Sequence, residues 1–142
     1  KKYLEKETFM LTYGDGISNV NLNNLTRFHK KHKKTVTVTG VRPIARFGEL
    51  NLIGNRVKSF KEKPQIRKGW INGGFFVMEP NIFKLLKNDK TVLEGEPLEK
   101  LAKSKQLMAY LHDKFWYCMD NPRDKDTLNK FWKRKNVPWK KW

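Results

Sequence analysis

Four short segments carry residue types and spacings that chemistry can use. Tyr13-Gly14-Asp15-Gly16 closes the apolar run from Thr8 to Thr12. Glycines let backbone come close to a ligand, and a carboxylate between them can hold Mg²⁺ and bridge it to a phosphate. Gly-Asp-Gly is equally ordinary turn chemistry. Phe60-Lys61-Glu62-Lys63-Pro64 sets a carboxylate beside an ammonium. Such a pair can bind a sugar hydroxyl and its phosphate, or be two solvated charges ahead of a turn-forming proline. Ile71-Asn72-Gly73-Gly74-Phe75-Phe76 holds two glycines inside an apolar strand, the mark of a bulge or of close backbone approach to a ligand. Phe115-Trp116-Tyr117-Cys118-Met119-Asp120 ends an aromatic run in an aspartate, a second metal ligand or a cap on the next element. Trp116 and Tyr117 read as core or sugar-face packing rather than as a stacking platform for nucleic acid.

The elements that must position these groups follow from hydropathy patterning. Thr8 to Tyr13 reads as a buried parallel strand ending in a turn, which is where ligands bind in open α/β sheets. A helix is predicted from Leu22 to Lys33, capped by Asn21 or Asn23, with Leu22, Leu25 and Phe28 on one face. Thr35 to Val41 alternates β-branched residues as a second strand, completing a βαβ unit. Phe47 to Ile53 and Arg56 to Lys61 flank Gly54-Asn55, a hairpin signal. Trp70 to Met78 reads as a strand, and Pro80 opens a predicted helix through Ile82, Phe83, Leu85 and Leu86. A further helix is expected over Pro97 to Lys103, then strands over Leu107 to His112 and Phe115 to Met119. A last amphipathic helix is placed over Asp124 to Lys135, with Leu128, Phe131 and Trp132 on its apolar side. The sum is one α/β domain with a mixed sheet.

Composition excludes several classes. A single cysteine, Cys118, allows neither an internal disulfide nor a cysteine-based zinc site. His29, His32 and His112 share no metal-binding spacing beyond one i, i+3 pair. No stretch approaches the ~20 apolar residues that span a membrane, and a soluble, cytoplasmic protein is expected. The net charge of +17 suits polyanions. It is mostly lysine spread along the chain, which describes a solvated surface or a phosphorylated small substrate better than a nucleic-acid reader.

Taken in order, the segments resemble the sugar-1-phosphate nucleotidylyltransferase family. Leu11-Thr12-Tyr13-Gly14-Asp15-Gly16 is similar to its strand-end Gly-Asp motif, Arg46-Phe47-Gly48 to its hairpin entry and Glu62-Lys63-Pro64 to its Glu-Lys-Pro. Asn72-Gly73-Gly74-Phe75-Phe76 is similar to its strand under the sugar, and Asp120 stands where its second metal-binding aspartate does. Gly69-Trp70-Ile71-Asn72, Glu96-Pro97-Leu98-Glu99, Gln106-Leu107-Met108-Ala109-Tyr110 and Arg123-Asp124-Lys125 resemble the cytidylyl branch.

The resemblance implies a Rossmann-like nucleotide-diphospho-sugar transferase fold and the joining of CTP to glucose 1-phosphate, releasing pyrophosphate. It assigns Asp15 and Asp120 to Mg²⁺, and Lys63 to the sugar phosphate, as catalytic groups. It assigns Gly14, Gly48, Glu62, Asn72, Gly73 and Gly74 to the substrates. The family's N-terminal glycine-rich nucleotide loop has no counterpart here. The expectation is therefore that residues 1–142 are the C-terminal, metal- and sugar-phosphate-binding portion of one domain, with little activity alone and a homo-oligomer when complete. UTP or dTTP in place of CTP, a basic nucleic-acid binder and a non-catalytic assembly module stand as alternatives.

Overall fold

The computed structural model describes residues 3–4, 6–44, 49–62, 69–135 and 137–141. Its elements run β1 (Phe9–Thr12), β2 (Gly16–Ser18), α1 (Leu22–His32), β3 (Val36–Val41), β4 (Glu49–Ile53), β5 (Arg56–Lys61) and β6 (Ile71–Met78). A single 3₁₀ turn over Pro80–Lys84 comes next, then α2 (Glu96–Lys103), β7 (Leu107–His112), β8 (Trp116–Cys118) and α3 (Pro122–Trp132). The main sheet has the order β1-β6-β3-β7. β6 runs antiparallel to both β1 and β3, and β3 runs parallel to β7. This is the mixed α/β sheet expected.

β1 is not the buried parallel strand its apolar run predicts. Among the described residues it pairs with β6 alone, at the edge of the sheet, and its side chains alternate between half-buried and exposed. β1 and β3 do run in the same direction, but β6 lies between them. Strand composition shows what is apolar, not which partner will lie alongside.

The two faces of the sheet take different covers, as the period-2 alternation of strands requires. Val36, Phe76 and Met78 pack with Ile82 of the 3₁₀ turn and Leu101 of α2, joined by Phe9, Leu11 and Val38. Each such buried side chain contributes about 1.5–3 kcal/mol. On the other face Thr37 meets His29 of α1, whose Nδ1 lies 2.8 Å from the Thr37 hydroxyl.

Asn21 caps α1 by accepting the Asn24 N–H at 2.9 Å, and Lys33 ends the helix in the left-handed region. The helix predicted after Pro80 shrinks to the 3₁₀ turn, closed by the Leu85 N–H on the Ile82 carbonyl, and a separate turn follows over Asn88 to Thr91. Asn88 accepts the Lys90 N–H through its side chain, and its own N–H donates to the Thr91 hydroxyl. α3 begins two residues before the predicted start, with Asn121 as cap and Pro122 in the first turn. β4 and β5 form a separate two-stranded sheet around Gly54 (φ 56°), as the Gly-Asn turn signal predicts.

Candidate active site

Two short strands make the candidate site. β2 and β8 pair antiparallel, Gly16 opposite Cys118 and Ser18 opposite Trp116. The Met119 N–H donates to the Asp15 carbonyl at 2.9 Å, carrying the ladder one step beyond the strands. Asp15, just ahead of the first strand, is thereby brought beside Asp120, just past the last one. Each offers a carboxylate oxygen, and these two atoms and the Cys118 sulfur all lie within 4.8 Å of one another.

Asp120 is held from behind. Its N–H donates to the Asp124 carboxylate at 3.1 Å, and Asp124 also accepts from the Tyr117 hydroxyl at 3.1 Å. The cap of α3 is Asn121, whose side chain accepts the Asp124 N–H. The capping role open to Asp120 in the sequence therefore falls to its neighbour, and its carboxylate stays exposed at the cluster.

The donor set suits a hard cation. Burial first, then the hydrogen bond to Asp120 and its charge, then the charge of Asp15, push the Cys118 thiol up to about 12. The thiol so raised keeps its hydrogen and donates it to Asp120 at 3.1 Å. Two exposed carboxylates remain, which fits Mg²⁺ shared with substrate phosphates and water.

The glycine strand borders the same corner. Trp116 donates its indole N–H to the Gly73 carbonyl at 2.8 Å. The Tyr13 N–H donates to the Gly74 carbonyl at 2.9 Å, and the Asn72 side chain accepts the Gly74 N–H at 2.9 Å. Register against β3 shifts between Val38 and Gly40, so the Gly-Gly pair is a bulge. Both glycines are buried, while Asn72 is exposed. At Gly14 an added Cβ would meet nothing within 4 Å, which leaves open space beside Asp15.

The structure thus brings together Gly14, Asp15, Asn72, Gly73, Gly74 and Asp120. Glu62 is exposed, just past the end of β5. Gly48 and Lys63, with Arg46, Phe47 and Pro64, lie outside the described residues. Two neighbours join them: Tyr13, which the sequence offers within its Gly-Asp-Gly segment without a role, and Glu94, which has no counterpart among the sequence candidates. The Tyr13 hydroxyl donates to Glu94 and accepts from the Asn72 amide at 3.0 Å. Burial first, then the hydrogen bond to Glu94, raise the phenol to about 12 and keep it protonated. Glu94 sits between Leu93 and Gly95 with no motif around it to draw notice.

Comparison with known proteins bears on the family and the fold. The nucleotidyl transferase family model matches residues 1–133. Glucose-1-phosphate cytidylyltransferase of Salmonella typhimurium is 44% identical over 138 residues, covering 97% of this chain and 54% of that protein. Mannose-1-phosphate guanylyltransferase 1 of Arabidopsis thaliana is 30% identical over 123 residues, covering 83% of this chain and 34% of that protein. In fold the chain is similar to HddC from Yersinia pseudotuberculosis, with a TM-score of 0.64 at 21% identity over 93% of this chain and 58% of that one. The chain spans about half the length of the cytidylyltransferases it matches.

Proposed function

The chain belongs to the nucleotidyl transferase family, and on that premise we propose that it is the metal- and sugar-phosphate-binding portion of a glucose-1-phosphate cytidylyltransferase. The observation that carries the reading is the β2–β8 pairing, which sets Asp15 beside Asp120. The 44% identity to the Salmonella typhimurium protein supports glucose 1-phosphate and CTP as substrates.

In the proposed reaction an oxygen of the sugar phosphate attacks the α-phosphorus of CTP. The new P–O bond forms as the bond to the β-phosphate oxygen breaks, and pyrophosphate leaves with that electron pair. No covalent enzyme intermediate is required, so the protein's part is placement and charge balance. Asp15 and Asp120 would hold Mg²⁺, which when bound offsets phosphate charge. Lys63 would pair with the sugar phosphate, and Glu62 with sugar hydroxyls. Gly14 and Gly48 would let backbone lie close to the substrates, and Asn72 to Gly74 would form the surface under the sugar. Three of the four backbone polar groups of Gly73 and Gly74 are engaged within the protein, and the exposed Asn72 side chain is a polar group that this strand presents.

The test is CDP-glucose formation after this chain is joined to the complementary part of the Salmonella typhimurium relative. CTP, UTP, dTTP and GTP are offered in parallel with glucose 1-phosphate and Mg²⁺. The expected outcome is product with CTP, falling at least about 100-fold in Asp15→Asn and in Asp120→Asn. Equal turnover in those variants would remove the metal assignment, and preference for another base would move the chain to another branch.

A further inference from the structure

An exposed asparagine amide presents either a donor or an acceptor, depending on which way it is turned. At Asn72 the choice is forced. The Gly74 N–H can only donate, and it lies 2.9 Å from the Asn72 side-chain oxygen. Nδ2 must therefore face the Tyr13 hydroxyl, 3.0 Å away. That hydroxyl in turn donates its one hydrogen to the Glu94 carboxylate, which turns an oxygen lone pair toward Asn72. The bonds run in one direction, from Asn72 to Tyr13 to Glu94. Among the described residues they leave one Nδ2 hydrogen without an acceptor, open to a ligand.

We propose that Tyr13 and Glu94 are positioning residues for sugar-phosphate binding: Glu94 fixes the Tyr13 hydroxyl, and Tyr13 fixes the Asn72 amide so that it offers a hydrogen to a sugar oxygen. The proposal rests on the proposed function, in which Asn72 to Gly74 lie under the sugar. The same tyrosine shapes the strand itself. Its N–H holds the Gly74 carbonyl at 2.9 Å, and its ring occupies the space a side chain at residue 74 would need. Asp15 lies two residues further on, so one strand end carries both the cation ligand and the group that orients the amide.

The experiment tracks the ¹⁵N-labelled 142-residue chain by NMR during titration with glucose 1-phosphate. It compares wild type with Tyr13→Phe, Glu94→Ala and Glu94→Gln, and thermal unfolding checks each fold. In Tyr13→Phe the ring packing stays and only the hydroxyl is lost. The Asn72 carboxamide and Gly74 amide signals should then shift, and glucose 1-phosphate should bind about tenfold more weakly, the scale of one polar contact. Glu94→Ala, on an exposed residue, should match Tyr13→Phe and covers the case in which the phenylalanine variant does not fold. Glu94→Gln keeps an oxygen acceptor for the phenol and should bind within about twofold of wild type. If wild type binds and Tyr13→Phe and Glu94→Ala bind equally well, the positioning role is wrong and the functional reading stands. If folded wild type leaves the sugar phosphate unbound, both fall together.

Discussion

Gly73 and Gly74 are adjacent, yet each excludes a side chain for its own reason. A Cβ at residue 73 would lie 2.7 Å from a Val41 methyl and 2.9 Å from the Thr39 carbonyl, so β3 itself would have to move. At residue 74 the backbone has φ 75°, and a Cβ would sit 2.8 Å from the Tyr13 ring. Gly73→Ala and Gly74→Ala should each destabilise by about 1–3 kcal/mol in denaturant unfolding. Gly14→Ala, in open space, should unfold within about 0.5 kcal/mol of wild type, so any loss of activity there would report on ligand room. A normal unfolding midpoint for Gly73→Ala would contradict the steric account. The sequence shows both glycines and both aspartates, since composition at a strand end is a local signal. It carries no sign of Glu94, which is tied to the site only through its hydrogen bond with a tyrosine far away in the chain.

Between α1 and β3 a polar chain crosses the protein interior. The Lys34 N–H donates to His32 Nδ1 at 2.9 Å, so neutral His32 carries its hydrogen on Nε2, 2.7 Å from the Thr37 hydroxyl. Thr37 can then donate to His29 Nδ1, and His29 Nε2 to Glu79 at 3.0 Å. Burial first, then the neighbouring His29 and Lys34 charges, lower His32 from its ordinary 6.5. The folded state therefore resists the proton that the unfolded chain accepts. Stability should be full above about pH 6.5 and decline as pH falls through the lowered folded value. Melting temperatures from pH 7.5 down to 5 should show this decline, and His32→Gln should flatten it; an unchanged slope would sink the assignment. Elements are legible where their signals are local: the Asn21 cap, the Gly54-Asn55 turn, and the apolar runs of β3 and β7. β2 escapes a sequence reading because Gly16-Ile17-Ser18 is too short to have a period, and it becomes a strand only by meeting β8. The placement of β1 escapes it because its partner, β6, comes later in the chain and is recognised only by packing.

The molecule as a whole combines a net charge of +17 with a hairpin, separate from the main sheet, that exposes apolar side chains. Leu50 faces Phe60 across the β4–β5 pair, and the two are 54% and 60% exposed. Exposed strand pairs of this kind favour association, and lysine-rich charge opposes it. Phe60→Ser should reduce concentration-dependent light scattering with little change in melting temperature, most clearly at high salt where repulsion is screened. If scattering is unchanged, the hairpin is not the adhesive surface. Among the described residues, no helix is long and apolar enough to cross a membrane. The β2–β8 pairing has a kinetic consequence as well. Asp15 emerges from the ribosome long before Trp116 to Cys118 exist to pair with its neighbours. Three residue pairs must then close a long loop, whose entropy cost grows only slowly with length but is met before any local contact repays it. The aspartate corner should accordingly be among the last parts of the chain to become ordered, and the first to open when the fold is strained.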